Sequence, residues 1–181
     1  PPFKTGQTIS SLIAEGVLSS EFRKLKPDNL PTSFYLHQEK AIRRLITDKR
    51  NIIAATGTGS GKTEIYLIPI LNALMREKEK GTLGPGVRAL LLYPMNALVN
   101  DQLKRMRTLL VEYPDITFGR YTGETEEEQK KAEDIYIQEH NKKPLLNELI
   151  SREKMRKTPP HILLTNYAML EYLLLRPADM D

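Results

Sequence analysis

A glycine-rich segment has the residue types and spacing needed to hold phosphate groups. Residues 56–63 read Thr-Gly-Thr-Gly-Ser-Gly-Lys-Thr. Gly59 and Gly61 allow backbone N–H groups to turn inward without a Cβ in the way, and the positive end of a following helix attracts anions. Lys62 supplies a charge for the outer two phosphates, and Thr63 supplies a hydroxyl for Mg²⁺. The segment predicts a phosphate-binding loop with Lys62 and Thr63 as candidate catalytic residues.

The surrounding pattern predicts the elements that position this loop. A short apolar run at 51–55 precedes it and predicts a buried strand, and a helix is expected from about Lys62. Further apolar runs at 87–93, 116–121 and 161–165 also predict strands. Predicted helices cover 37–48, 96–110 and 166–175. Apolar strands that alternate with helices indicate an α/β fold, with a parallel sheet covered by helices on both faces.

Two regions depart from this alternation. Residues 1–33 predict an irregular or helical lead-in, and residues 124–160 predict a polar helical insertion. Within the insertion, Thr125 and Glu128 have the spacing of a capping box at a helix start, and 142–157 predicts a second helix. The chain begins with Pro1 and lacks an initiator Met, so we read it as a piece of a longer protein.

Composition limits the class of protein. With 40% apolar and 28% charged residues, the 181-residue chain is typical of a soluble globular protein. No apolar run is long enough to span a membrane, and no signal peptide is evident. The absence of Cys excludes disulfides and Cys-based zinc sites and fits a cytoplasmic location. A net charge of +4 permits a polyanionic partner without requiring one.

The first residue of the loop points to a family. The widely shared phosphate-binding loop starts with Gly, whereas this one starts with Thr56. Residues 58–63 match the Thr-Gly-Ser-Gly-Lys-Thr run of superfamily-2 DEAD/DEAH-box helicases, and the resemblance covers about residues 34–176. It is closest to large bacterial helicases. The resemblance implies that 34–181 is the first RecA-like domain, truncated before its Asp-Glu-X-X motif, that 1–33 is an extension, and that the cofactors are ATP and Mg²⁺.

Residues 34–38 resemble the adenine-recognition element of these helicases. Gln38 would pair with adenine through both its amide groups, because adenine shows a donor and an acceptor side by side. Tyr35 or Phe34 would stack on the base. The implied nucleotide contacts are Tyr35, Gln38, Thr58, Gly59, Ser60, Gly61, Lys62 and Thr63.

Three further segments resemble turns that contact a nucleic-acid backbone in the family. They are 93–103, 121–123 and 165–166, and each follows a predicted strand, so all three are expected at the carboxyl edge of the sheet. The implied contacts are Pro94, Asn96, Thr122, Gly123, Thr165 and Asn166. The implied partners are single-stranded nucleic acid, DNA ahead of RNA, and a second RecA-like domain of the same parent. The basic half of the insertion either extends this path or is a solvated surface.

No Asp-Glu-X-X motif follows Thr63 at a strand end. The expectation is therefore an ATP-dependent helicase as the parent, and a chain that binds nucleotide weakly and hydrolyses almost none by itself. A nucleotide kinase or a GTPase would need an acceptor site or an Asn-Lys-X-Asp motif, and neither is evident. A nucleic-acid-binding module without motor activity is the remaining alternative, although the intact Lys62 and Thr63 argue against it.

Overall fold

A computed structural model describes residues 3–57 and 59–175. These residues form two compact units, of which the first ends at Leu83 and the second begins at Gly84. The helices are α1 (Ile9–Ala14), α2 (Leu36–Ile46), α3 (Lys62–Glu79), α4 (Asn96–Leu110), α5 (Gln129–His140), α6 (Arg152–Lys157) and α7 (Tyr167–Leu175). The strands are β1 (Ala89–Tyr93), β2 (Phe118–Arg120), β3 (Glu148–Leu149) and β4 (Ile162–Asn166). Two short 3₁₀ helices, Ser20–Lys24 and Pro27–Asn29, lie between α1 and α2.

The second unit is built on a four-stranded sheet in the order β1-β4-β2-β3. Every strand pair is parallel, which confirms the predicted α/β class. The central strand β4 buries Ile162 and Leu164 completely, and α4 packs against β1, β2 and β4. Burial of apolar side chains from both the helix and the strands is what holds this sheet together.

The strand predicted at 51–55 is wrong. Residues 51–57 have no regular secondary structure, and the Ile53 side chain is 98% exposed. A short apolar run becomes a strand only where a neighbour completes its backbone hydrogen bonds. The paired strands of the described chain all lie between Ala89 and Asn166, and none of them pairs with this run.

The region 124–160 also differs from the prediction. It contains α5, β3 and α6, so the single helix expected over 142–157 is wrong, because β3 joins the sheet beside β2. The helix start expected at Thr125 is wrong as well, since α5 begins at Gln129. The Thr125 hydroxyl instead accepts from the Thr122 N–H and donates to the Arg120 carbonyl, which closes a turn after β2.

A buried ion pair holds β3 against α4. Arg107 donates to both carboxylate oxygens of Glu148 at 2.7 to 3.0 Å. Burial disfavours the Arg107 charge, but the hydrogen bonds and attraction of Glu148 outweigh it, so the pKa of Arg107 is raised. Bidentate pairing of this kind fixes the orientation of the two side chains as well as their distance. It explains how a strand of two residues keeps its place in the sheet.

The first unit packs the N-terminal segment against α2 and α3. Gly6 donates to the Phe34 carbonyl at 2.7 Å, and Phe34 donates back to Gln7 at 2.9 Å. The Ser19 N–H donates to the Asn72 side chain of α3 at 2.7 Å. The domain boundary expected between residues 33 and 34 stays a prediction.

Among the helices in residues 3–57 and 59–175, none is long and apolar enough to cross a membrane.

Replacing Asn147 should destabilise the chain. Its buried Nδ2 lies within 3.0 to 3.1 Å of the carbonyls of Leu110, Tyr113 and Ile116, which ties the end of α4 to the start of β3. Asn147→Ala removes these contacts and should lower the free energy of unfolding by about 1–3 kcal/mol. Urea denaturation followed by circular dichroism measures the loss.

Leu146→Ala is the matched control, since this neighbouring side chain is 94% exposed. It should change stability by no more than about 0.5 kcal/mol. Equal stability of the two variants would show that Asn147 does not hold the segment.

Candidate functional site

The glycine-rich loop has the backbone geometry of an anion-binding turn. Gly59 and Gly61 have φ values of +75° and +70°, in the left-handed region that favours glycine. Gly61 is the N-cap of α3, and no side chain caps this helix start. The first N–H groups of an α-helix have no partner within the helix, so they are donors at the end of the loop. Thr58 lies outside the described residues.

The side chains of the loop converge on its interior. The Lys62 ammonium donates to the carbonyls of Thr56 and Gly57 at 2.8 and 2.6 Å. The hydroxyls of Thr56 and Ser60 lie 2.6 Å apart, and Ser60 is fully buried. Thr63, the second residue of α3, is half-buried. The Lys62 ammonium is therefore held by carbonyls of the loop itself.

Gln38 connects α2 to this loop. Its Oε1 accepts from the Tyr35 N–H at 2.7 Å, and its Nε2 donates to the Gly61 carbonyl at 2.9 Å. The side chain is buried, with a relative exposure of 4%. Both amide groups that were predicted to pair with adenine thus have partners within the chain, and one of these partners is Gly61 of the glycine-rich loop.

An aromatic cluster that the sequence reasoning missed lies at the start of α2. Tyr35 stacks on His37 with ring centroids 5.7 Å apart and an interplanar angle of 16°, and Phe3 contacts both rings. A ring nitrogen of His37 lies 3.0 Å from the Ser60 carbonyl, so α2 contacts the loop twice. Phe34 is fully buried, which leaves the partly exposed Tyr35 as the candidate for stacking. Nothing in the sequence linked Phe3 to this position.

In the second unit, the three predicted contact turns meet at the carboxyl edge of the sheet. Asn166 Nδ2 donates to Asn96 Oδ1 at 2.5 Å. Thr165 donates its hydroxyl to the Tyr121 carbonyl at 2.6 Å. Asn96 begins α4 immediately after β1, so its position follows from the parallel register of β1 and β4. We call this set of turns (94–96, 121–124 and 165–166) the strand-end edge.

The residues of the strand-end edge differ in accessibility. Pro94 and Gly123 are exposed, and Asn96 and Asn166 are half-buried. Thr122 and Thr165 are buried, so each threonine hydroxyl supports a turn and does not face outward. Thr122 Oγ1 accepts from the Glu124 N–H at 3.3 Å. Met95 and Glu124 of the same turns are exposed as well. The surface that this edge offers to a ligand is therefore made of backbone, the two asparagines, and the exposed residues Pro94, Met95, Gly123 and Glu124.

Glu124 and Arg120 also belong to this edge, and the sequence reasoning missed both. Asn96 Nδ2 donates to Glu124 Oε1 at 2.7 Å, and Arg120 Nη1 donates to Glu124 Oε2 at 2.9 Å. The same Arg120 nitrogen lies 2.6 Å from Asn100 Oδ1. The only available signal was position, because the two charges flank the Tyr-Thr-Gly turn in the sequence.

The fold and the loop together define a phosphate-loop protein of the RecA-like α/β class. The family model of the DEAD/DEAH box helicases matches residues 35–179, and the chain belongs to this family. It is a helicase-type ATP-binding module, as the first residue of the loop suggested.

Similar proteins cover most of this chain but are much longer. Druantia protein DruE from Escherichia coli is 30% identical, over 81% of this chain and 12% of its own length. ATP-dependent helicase Lhr-Core from Sulfolobus acidocaldarius is 29% identical, over 70% of this chain and 13% of its own length. The chain therefore spans only about an eighth of these relatives.

Two solved structures share the fold. DUF1998 helicase MrfA, bound to DNA and AMPPNP, has a TM-score of 0.64 and 24% identity over 94% of this chain and 19% of its own. DEAD-box helicase Mss116, bound to ssRNA and UDP-BeF, has a TM-score of 0.66 and 22% identity over 99% of this chain and 32% of its own. These likenesses confirm the predicted RecA-like fold.

Gly61 should tolerate a side chain less well than Gly59. Both have positive φ, but a Cβ at Gly61 would lie 2.2 Å from Gln38 Nε2, whereas nothing lies within 4 Å of one at Gly59. Gly59→Ala should cost only the left-handed strain of about 1–2 kcal/mol. Gly61→Ala should lower the free energy of unfolding by more than this, because it also breaks the hydrogen bond to Gln38.

Urea unfolding of the two variants measures the difference. An equal loss of stability would contradict the close approach of Gln38 to the loop, since φ is nearly the same at the two glycines.

Proposed function

We propose that this chain is the nucleotide-binding part of an ATP-dependent helicase, and that it binds the phosphates of ATP through residues 56–63. The observation that carries the proposal is the pair of left-handed glycines before α3, with the Lys62 ammonium held inside the loop. Phosphate oxygens would replace the two carbonyls as acceptors for Lys62. The N–H groups at the start of α3 would bind the remaining oxygens.

The loop also suits a magnesium ion that accompanies the phosphates. Among residues 3–57 and 59–175, no cluster of three or more acidic or histidine side chains is placed to hold a metal. Mg²⁺ commonly takes few protein ligands and keeps water and phosphate oxygens. The Thr63 hydroxyl at the start of α3 fits such a site, in which the ion would offset phosphate charge.

We further propose that α2 recognises the adenine base. Tyr35 is partly exposed and stacks on His37, whose ring lies 3.0 Å from the Ser60 carbonyl, and Gln38 contacts Gly61. The Gln38 Oε1 has a second lone pair and its Nε2 a second hydrogen, so the amide can pair with adenine and keep its bonds to Tyr35 and Gly61. Base recognition and loop geometry would then be linked through one side chain.

The strand-end edge is the proposed site for a single-stranded nucleic acid. Beside the exposed Pro94, Met95, Gly123 and Glu124, it offers backbone and the half-buried amides of Asn96 and Asn166. Backbone and amide groups contact phosphates and sugars without reading sequence. MrfA bound to DNA and Mss116 bound to ssRNA support a nucleic-acid partner. We take DNA as the first substrate to test, because the structurally similar helicase MrfA was solved bound to DNA.

Motor activity belongs to the proposed parent. The relative named ATP-dependent helicase Lhr-Core supports an ATP hydrolase, and a second RecA-like domain of the parent would complete the site. We propose that residues 1–33 are an extension and that 34–181 belong to the first RecA-like domain. An arginine that reaches the phosphates is worth about 10³–10⁵ in rate in related systems, so hydrolysis by this chain alone should be very slow.

Lys62→Ala should abolish nucleotide binding and leave the fold intact. The lysine is half-buried in the loop and supports no apolar core, so the loss is of charge opposite the phosphates. Isothermal titration of ATP with Mg²⁺ into wild type and variant measures this. Lys104→Ala, at an exposed position of α4, is the control and should bind as wild type does. Equal affinity of Lys62→Ala and wild type would refute the phosphate-loop assignment.

Binding of single-stranded DNA should be weak, salt-sensitive and independent of sequence. We expect a dissociation constant on the order of 10⁻⁴–10⁻⁶ M, as for non-specific binding. The salt dependence should be shallow, because few of the exposed groups at the edge are Lys or Arg. Fluorescence anisotropy with labelled strands of one length and different sequence, at two salt concentrations, measures both properties. Nanomolar or sequence-selective binding would contradict the proposal.

A further inference from the structure

We propose that Arg120 is a further phosphate-binding residue of the strand-end edge. In the free chain its guanidinium pairs with Glu124, and a phosphate of the nucleic acid replaces this carboxylate on binding. This inference rests on the proposed function, since it names the charged contact of the same edge. Neither residue belongs to the contacts that the sequence implied.

The carboxylate of Glu124 gathers donors from two different elements. One oxygen accepts from Asn96 Nδ2 of α4 at 2.7 Å, and the other accepts from Arg120 Nη1 of β2 at 2.9 Å. Asn96 is itself bonded to Asn166 at the end of β4. Two donors that converge on one pair of anionic oxygens form a site that also fits two oxygens of a phosphate.

The Arg120–Glu124 pair is accessible enough to exchange. The side chains of Arg120 and Glu124 are 25% and 49% exposed. An ion pair at this exposure is held weakly, because water screens it and the side chains lose entropy in forming it. The planar guanidinium matches phosphate geometry as well as it matches a carboxylate, so a strand laid along the edge can take the place of Glu124.

Asn100 keeps the arginine in position during such an exchange. Its Oδ1 accepts from Arg120 Nη1 at 2.6 Å, and Asn100 lies one helical turn after Asn96 on α4. The guanidinium therefore remains directed towards the edge when Glu124 leaves. Asn100 is a positioning residue, whereas Arg120 touches the phosphate.

The charge of Glu124 should then oppose binding. Glu124→Gln removes the like charge next to the incoming phosphate. Asn96 and Arg120 contact different oxygens of the carboxylate, so in the same orientation the amide would turn its NH₂ group towards one of these two donors. If Glu124 instead served only to brace the turn, the same change would loosen the edge and weaken binding. The sign of the effect separates the two roles.

The experiment measures anisotropy of a labelled oligothymidine strand with the 181-residue chain. Glu124→Gln should tighten binding by about threefold, the effect of one exposed charge. Arg120→Ala should weaken it by about threefold and lower the slope of log K against log salt by about 0.7, the value for one single-strand phosphate contact. Arg120→Lys keeps the charge, so its slope should equal that of wild type even where its affinity falls.

Glu127→Gln is the matched control for charge. It removes a carboxylate from the same segment, but Glu127 pairs with Arg156 and not with the edge, so its affinity should stay within about twofold of wild type. Urea unfolding of each variant confirms that the fold is retained.

Two failures are distinguishable. If wild type does not bind the strand, both the proposed nucleic-acid site and this inference are refuted. If wild type binds but Arg120→Ala leaves affinity and salt slope unchanged, or Glu124→Gln weakens binding or matches Glu127→Gln, only the roles of Arg120 and Glu124 are refuted.

Discussion

The hydrogen bond from Gln38 Nε2 to the Gly61 carbonyl is the contact on which the proposed nucleotide site depends. It brings the Gln38 side chain so close to the loop that a Cβ at residue 61 would displace it. The same residue needs a positive φ to begin α3 after the loop. One glycine therefore meets two independent demands, one from the backbone turn and one from the neighbouring helix. The His37 contact to Ser60 adds a second link between α2 and the loop.

The strand-end edge follows a different physical logic. Parallel strands end at one side of a sheet, so the turns after β1, β2 and β4 have to meet there. Short polar side chains then join them, through the bonds from Asn166 to Asn96 and from Thr165 to Tyr121. The buried Arg107–Glu148 pair extends the sheet with β3 and so supports β2 from the far side. Fixed backbone positions are what a site for a repeating phosphate backbone requires.

Sequence reasoning was strongest where one local signal decides the structure. The helix 96–110 matches α4 at both ends, and the strand prediction at 161–165 matches β4 to within a residue. The tight turn at Gly59 and Gly61 was predicted from residue type alone, because glycine has no Cβ, and both residues have a positive φ. The strand expected at 51–55 failed because pairing depends on neighbours that a local apolar run does not reveal. The strand β3 was missed because Glu148, a charged residue in a polar stretch, is buried only through Arg107.

In the candidate sites, too, residues with a local signal were predicted and residues that depend on distant contacts were not. The residue types of the phosphate loop point to their chemistry without any tertiary information. The roles of His37, Phe3, Arg120 and Glu124 depend on contacts between residues that are distant in sequence or on opposite sides of a turn. Thr122 and Thr165 illustrate the converse, because both were expected to face a ligand and both are buried. A spacing pattern indicates which turn is a candidate for ligand contact, but packing decides which atoms of that turn are exposed.

The most direct test of the link between α2 and the loop compares ADP with GDP by isothermal titration, in wild type and in Gln38→Ala. If Gln38 reads the base, ADP should bind wild type about tenfold more tightly than GDP, the equivalent of roughly 1.4 kcal/mol. Guanine would leave hydrogen-bonding groups of the site unpaired. Gln38→Ala should narrow this ratio and also lower the affinity for both nucleotides, because the loop loses its contact at Gly61. Equal binding of ADP and GDP by wild type would contradict the assignment of Gln38.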